Sequence, residues 1–334
     1  MTIKDLAAKT GYGVATISRV LNGHPNVSQK AKKIILQAVE ESGFQLNVNA
    51  KQLKQQHSTS VVVVCKGTAN QLFGELVEAI QGSMAQTEYP LIVDYVDEDS
   101  NEVQRGIQLC REKKPLGMLF LGGNTRHFRE DFHHIDIPCV LVSGDASELD
   151  FPNLSSVFTD DRKAARSAME ALIALGHRKI VMIGGDRKVS DTGRLRYEGC
   201  MQAIRANGID FDEELDYQGT RYSYRSGYNA AAKLVSSGRS FTALFAAADV
   251  MAIGAIRALR DNGLRVPEDV SVMGFDGLPI GTYLVPQLST VEQSVAQMAR
   301  RSVEILIAAI REKSPACHEA IPYQLSQKES TSRP

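Results

Sequence analysis

Residues 14–23, VATISRVLNG, carry helical spacing in miniature: Val14, Ile17, Val20 and Leu21 share one face, and Gly23 follows the run. Before it, IKDLAAKT (3–10) puts Ile3, Leu6 and Ala7 at helical spacing and is stopped by Gly11 and Gly13. After it, Ser28 is a good N-cap for a third helix that turns Ile34, Ile35, Ala38 and Val39 inward until Gly43. Two short helices joined by a tight glycine-containing turn, with a third behind them, describe a helix-turn-helix unit. The second helix of such a unit is the one that enters a DNA groove.

From Val61 the texture changes. SVVVVCK, PLIVDYV, LGMLFLG, PCVLVSG, KIVMIGG, TALFAAAD and DVSVMGFD read as strands. Amphipathic stretches at 72–86, 102–113, 162–176, 194–207, 225–237, 250–263 and 295–312 read as the helices between them. Continuous apolar strands separated by helices indicate parallel sheets buried on both faces. Two doubly wound sheets suit so long an alternation, and an eight-fold βα barrel competes because it shares the pattern. Segment 44–60, FQLNVNAKQLKQQHSTS, is polar and basic, and reads as a linker.

Bulk properties narrow the function. At 334 residues the chain exceeds one ordinary core. No apolar run approaches the ~20 residues that span a bilayer. The opening MTIKDLAAKT lacks a secretory core, so a cytoplasmic protein is expected. Cys65, Cys110, Cys139, Cys200 and Cys317 are scattered and form no CxxC pair, which argues against a zinc site or redox dithiol. The net charge of −1 hides an asymmetry. Through residue 57 eight Lys/Arg face three acids, whereas the remainder holds thirty basic and thirty-six acidic residues. A basic head on an acidic body suits polyanion binding by the head.

TIKDLAAKTG, TISRVLNG and VSQKAKKIILQAVEESGF together resemble the DNA-binding head of the LacI/GalR family. LIALGHRKIVMIGG (172–185), RLRYEG (194–199), the run 243–276 and PQLSTVEQ (286–293) are similar to that family's sensor domain. The resemblance covers nearly the whole chain. It implies an all-α helix-turn-helix head at 1–46, a hinge helix and linker at 47–59, and a ligand-sensing domain at 60–334. That sensor would be α/β, periplasmic-binding-protein-like (type I), with two doubly wound parallel-sheet subdomains. Residues 61–161 and about 292–322 would form one, and 162–291 with 323–331 the other.

The resemblance implies DNA contacts from Thr2, Val14, Ala15, Thr16, Ser18, Arg19, Asn22 and Ser28. Arg19 can bond a guanine edge through two parallel hydrogen bonds, and Val14 and Ala15 can meet thymine methyls. Thr16, Ser18 and Asn22 can bond phosphates and set register. Tyr12-Gly13 stand where the family usually opens this helix with Val-Ser, so the cap lacks a hydroxyl. In the hinge, Asn47 can cap a short helix, Ala50 permits close approach, Lys51 can neutralise a phosphate, and Leu53 fits a minor-groove wedge.

For the effector, the matching positions are Phe73, Asp160, Ser190, Thr192, Arg196, Tyr222, Ala248, Asp249 and Asp276. Arg196 can clamp a hydroxyl pair or a carboxylate, and Asp276 can accept from sugar hydroxyls. Phe73 and Tyr222 offer flat faces for a ring, although Phe73 also fits a helix core. Asp249 can cap the helix beginning at Val250. Ala248 and Gly277 stand where the family often has Asn and a second Asp, which removes polar groups from the pocket. The expected ligand is a neutral or acidic sugar or a sugar derivative, with a nucleobase against Tyr222 as the alternative.

No GxxxxGK[ST], HExxH or GxSxG is present, so no enzyme is expected, nor any cofactor or metal. HFREDFHH (127–134) reads as a solvated loop. The expected protein is an allosteric regulator, a repressor acting as a homodimer on a pseudo-palindromic operator, with no membrane partner. The chain ends shortly after QKESTSRP without a heptad tail, which favours a dimer over a tail-assembled tetramer. A sugar-binding receptor module without a transcriptional role is the alternative reading; the basic head argues against it.

Overall fold

A computed structural model of the chain describes residues 3–21, 27–42 and 59–334. The chain falls into two compact units, residues 1–57 and 58–334. In the smaller unit, α1 (Ile3–Thr10), α2 (Val14–Leu21) and α3 (Gln29–Ser42) close around Leu6, Ile17, Val20, Ala31, Ile35 and Ala38. Ile34, expected on the inward face of α3, is instead 38% exposed, whereas Val14, expected against base edges, is 42% exposed. On α3 the buried positions run Ala31, Ile35, Ala38, a stripe too narrow to include Ile34, which lies one ~100° step around the helix from Ile35.

The larger unit alternates strand and helix. Its first half runs β1 (Val61–Lys66), α4 (Gln71–Met84), β2 (Leu91–Val96), α5 (Glu102–Lys113), β3 (Gly117–Leu121), α6 (Thr125–Asp131), β4 (Cys139–Val142) and β5 (Leu154–Phe158). The second runs α7 (Asp161–Ala174), β6 (Ile180–Gly184), α8 (Asp191–Ala206), α9 (Glu213–Asp216), β7 (Tyr217–Gly219), α10 (Tyr224–Ser236), β8 (Ala243–Ala246), α11 (Asp249–Asp261), β9 (Ser271–Asp276) and β10 (Ser289–Gln293). Then come α12 (Val295–Glu312), β11 (His318–Ala320) and β12 (Tyr323–Ser326). Two separate sheets form, in the orders β2-β1-β3-β4-β5-β11 and β7-β6-β8-β9-β10-β12. Every strand pair is parallel except β10 with β12. The competing barrel is therefore excluded.

Alternation along β1 explains why its run is apolar throughout. Val61, Val63 and Cys65 meet the side covered by α4 and α12, while Val62 and Val64 meet Val103 and Ile107 of α5 and Phe128 of α6. Both faces are dry, so both registers must be hydrophobic. The second sheet follows the same rule: Ile180 and Met182 pack toward α7 and α8, Val181 and Ile183 toward α10 and α11. Strands β5, β7, β10, β11 and β12 were not legible as strands because they are short or rich in Ser, Thr and Gln. The 127–134 segment is not a loop. It spans most of α6 and a 3-10 turn, and it buries Phe128 and Phe132 completely.

Helices α10 and α11 approach backbone to backbone. A Cβ on Gly254 would lie 2.1 Å from the Tyr224 carbonyl oxygen, and one on Gly227 would lie 2.3 Å from that of Met251. Only glycine allows this spacing. The chain passes between the sheets three times: from β5 into α7, from β10 into α12, and from β11 into β12. These crossings make two lobes whose strand carboxyl ends face a common cleft. Among the described residues, no helix is long and apolar enough to cross a membrane.

Candidate functional site

The head presents one face of α2 outward. Ile17 and Val20 are spent on the core, which leaves Val14, Ala15 and Arg19 exposed and Thr16 and Ser18 half-buried. The amides of Thr16 and Ile17 donate to the Gly13 carbonyl at 2.8 and 3.1 Å, so the backbone starts the helix without a side-chain cap. Tyr12 packs against the head core. Ser28 Oγ accepts from the Ala31 amide at 3.3 Å and thus caps α3. Lys30, Lys32 and Lys33 are exposed on α3. Thr2, Asn22, Asn47, Ala50, Lys51 and Leu53 lie outside the described residues.

Between the lobes lies a cavity of about 310 Å³. Five of the expected effector residues line it: Phe73, Ser190, Thr192, Arg196 and Tyr222. Phe73 is half-buried, with its ring seated where a Cβ on Gly122 would come within 2.7 Å. Tyr222 Oη and Ser190 Oγ are 3.3 Å apart, and burial pushes the phenol up to about 12. Ser190 also caps α8 by accepting from the Gly193 amide at 3.0 Å.

Arg196 is only 2% exposed and is largely engaged by the protein. Its Nε donates to Asp161 at 2.8 Å, and Nη1 donates to the Ala247 carbonyl at 2.5 Å and to Asp276 at 3.4 Å. The guanidinium stacks 3.6 Å from the Phe275 ring centroid. The free two-point clamp expected from sequence is therefore already half occupied.

The other four expected positions are not among the cavity-lining residues. Asp160 caps α7 by accepting from the Lys163 amide at 3.0 Å, and pairs with the Lys163 ammonium at 2.9 Å. Asp276 accepts from Gln293 at 2.9 Å and from Asn70 of the other lobe at 3.5 Å. Ala248 occupies the N-cap position of α11. Asp249 is not the cap: it opens the helix itself and accepts from Leu278 N at 2.7 Å and Thr290 Oγ1 at 2.6 Å. Its carboxyl joins α11 to β10 and to the loop after β9. Burial, reinforced by Asp276, pushes it up to about 8. Gly277 has φ +78°, and a Cβ there would stand 2.6 Å from Glu292 Cα. Backbone geometry, rather than a lost polar partner, accounts for glycine at that position.

Sequence reasoning missed much of the wall. Lys66 ends β1, Glu98 and Asp99 follow β2, Asp186 follows β6, and Arg221 follows β7. All occupy strand carboxyl ends, and the acidic run Asp97-Glu98-Asp99 after an apolar strand was the available signal. Arg221 spans the cleft mouth to Asp97 at 2.8 Å and Asp99 at 3.2 Å, with Glu98 at 3.5 Å. Burial holds the Glu98 carboxyl above its ordinary range. A second contact joins the lobes where Asn124 Nδ2 donates to the Val189 carbonyl at 2.9 Å. Beside it, Thr125 donates through N and Oγ1 to one Asp191 oxygen at 2.7 and 2.6 Å. Among the described residues no cluster has metal-ligand geometry.

Residues 2–47 match the family described as bacterial regulatory proteins, lacI family, and residues 169–331 match a periplasmic binding protein-like domain. The chain is 36% identical to the HTH-type transcriptional regulator MalR of Clostridium butyricum, over 99% of each chain. It is 28% identical to catabolite control protein A of Priestia megaterium, again over 99% of each. Among solved structures, a Lac repressor dimer bound to operator and the anti-inducer ONPF superimposes with a TM-score of 0.81, at 24% identity over 99% of both chains. A complex of the transcriptional regulator CelR with cellobiose gives 0.72 at 25% identity, with the same coverage.

Proposed function

This chain belongs to the lacI family of bacterial regulatory proteins, and on that footing we propose that it acts as a homodimeric repressor whose grip on a pseudo-palindromic operator changes when a sugar or sugar derivative occupies the cleft. The observation that carries the reading is the division of labour on α2. Ile17 and Val20 hold the head together while Val14, Ala15 and Arg19 remain outside it, free to meet base edges. A surface lysine patch alone would not need that division.

Residues 1–46 form the reader, 47–59 the hinge with Leu53 as wedge, and 60–334 the sensor. Phe73, Ser190, Thr192, Arg196 and Tyr222 line the place where the effector binds. Asp276 supports Arg196 from behind, and Asp160, Ala248 and Asp249 act on the frame. The relatives of known structure include a complex with cellobiose, and a ribose-bound member of the family is also similar in fold, which supports a carbohydrate ligand. Tyr283 and Val285, 84% and 87% exposed, supply an apolar contact for the second copy. The protein works in the cytoplasm, as a binding protein rather than an enzyme.

The test is fluorescence anisotropy of full-length protein on a pool of upstream genomic duplexes, with and without a panel of sugars. A duplex held against random competitor, with affinity altered by one sugar and lost on Arg19→Ala, supports the assignment. Equal binding to all duplexes under every condition sinks it.

A further inference from the structure

Glu102, the first residue of α5, is completely buried, and both of its carboxylate oxygens have partners. Oε2 accepts from Lys66 Nζ at 2.5 Å and lies 3.0 Å from His127 Nδ1, while Oε1 accepts from the Asn124 amide at 2.7 Å. These partners have different destinations. Lys66 is on the cavity wall. Asn124 begins the two-residue segment that reaches the other lobe, where its side chain holds the Val189 carbonyl and Thr125 holds Asp191.

We propose that Glu102 is a positioning residue that couples the cleft wall to the lobe-to-lobe latch, so that the hold of Asn124 and Thr125 on the opposite lobe depends on what Lys66 meets in the cavity. This deepens the effector reading given above and rests on it for the identity of the signal. Charge-assisted hydrogen bonds are strong, and a buried carboxylate cannot turn to water for a replacement partner. A ligand group that draws Lys66 away therefore leaves Glu102 undercompensated and shifts it toward its remaining partners, His127 and the Asn124 amide. Burial opposes ionisation of Glu102, yet His127, Lys66 and the Asn124 amide outweigh it and hold the carboxyl below its usual range. The carboxylate is thus charged, and its position matters to everything it touches.

Hydrogen exchange on the full-length chain tests the coupling without ligand or DNA. Glu102→Gln is expected to speed exchange about tenfold at the Thr125 amide and also in 186–191 of the other lobe, as loss of one charge-assisted bond implies. Asp191→Asn should loosen the same two segments, and the double variant should go no further than the larger single effect. A residue that merely stabilised α5 would loosen α5 and β1 and leave 186–191 protected. Unchanged exchange in 186–191, or effects of the two substitutions that multiply, overturns the proposal. Lys66→Met guards against a misfolded Glu102 variant: it should loosen the same segments, and full protection there also overturns the idea. Because no ligand enters, a latch that responds in a protein whose DNA binding ignores sugars would count against the effector reading and leave the coupling standing.

Discussion

Arg196 on α8 and Asp161 at the start of α7 meet at 2.8 Å with almost no solvent access to either side chain. The pair sits where the chain enters the second lobe, and its Arg196 lines the cavity. Asp276 approaches the same guanidinium at 3.4 Å, so one buried cation serves two buried carboxylates. Removing it leaves both uncompensated. Arg196→Ala is expected to cost about 3–5 kcal/mol of stability, because breaking a buried ion pair strands its partner in a low-dielectric site. Urea denaturation of full-length protein checks this, and a loss below about 1 kcal/mol would show that the cluster is hydrated or protonated instead.

The contact between α10 and α11 makes a cleaner packing prediction, since no charge is involved. Gly254→Ala places a methyl 2.1 Å from the Tyr224 carbonyl oxygen, an atom of backbone that cannot rotate away. The helices must separate, which exposes part of the Leu234 and Ala255 packing. A loss of about 1–3 kcal/mol is expected, the range for overpacking a tight core. Thermal unfolding followed by circular dichroism measures it. Alanine at Gly74, whose added Cβ meets nothing within 4 Å, is the control and should leave stability unchanged or slightly raised.

The amino-acid sequence discloses local order and hides distant partners. The helix at 194–207 and the strands around it were readable because periodicity and continuous apolar runs are local properties. The head was readable for the same reason, down to its capping Ser28. The partners of Arg196 were not: Asp161 is 35 residues away and Asp276 is 80. A long-range ion pair leaves no trace in spacing, so the arginine read as a free clamp. Asp249 shows the converse error. Its AAAD-VMAIG context fits a cap, yet the fold turns the side chain to Thr290 and Leu278, which only the sheet brings near. The latch between Thr125 and Asp191 was invisible because it depends on how two lobes close.

Tyr283 and Val285 project from the loop between β9 and β10, and little else on the larger unit leaves so much apolar surface in water. If they form the contact between two copies, replacing both with Asp should drive the protein to monomer at micromolar concentration by placing like charges opposite each other. Sedimentation velocity reads the state, and an unchanged circular dichroism spectrum shows that the fold survived. A doubly substituted protein that stays dimeric places the contact elsewhere.

Asp249 gives the pH prediction its sign. Burial pushes its carboxyl from 3.8 to about 8, and Asp276 beside it to about 6. Between the unfolded and folded values the native protein keeps protons that the unfolded chain has released. Folding is therefore most favoured below the unfolded value, and stability falls as pH rises toward the folded one, by at most about 1.4 kcal/mol per pH unit for each group. Asp249→Asn cannot ionise in either state and removes that group's share. Its Nδ2 can face Thr290 Oγ1 while Oδ1 still accepts from Leu278, so the frame stays hydrogen-bonded. Melting temperatures taken from about pH 5 to about pH 8 should decline less steeply in this variant than in the parent chain. Parallel declines would mean that Asp249 is already ionised in the folded protein at neutral pH, with Thr290 and the 277–278 amides sufficing to hold the charge.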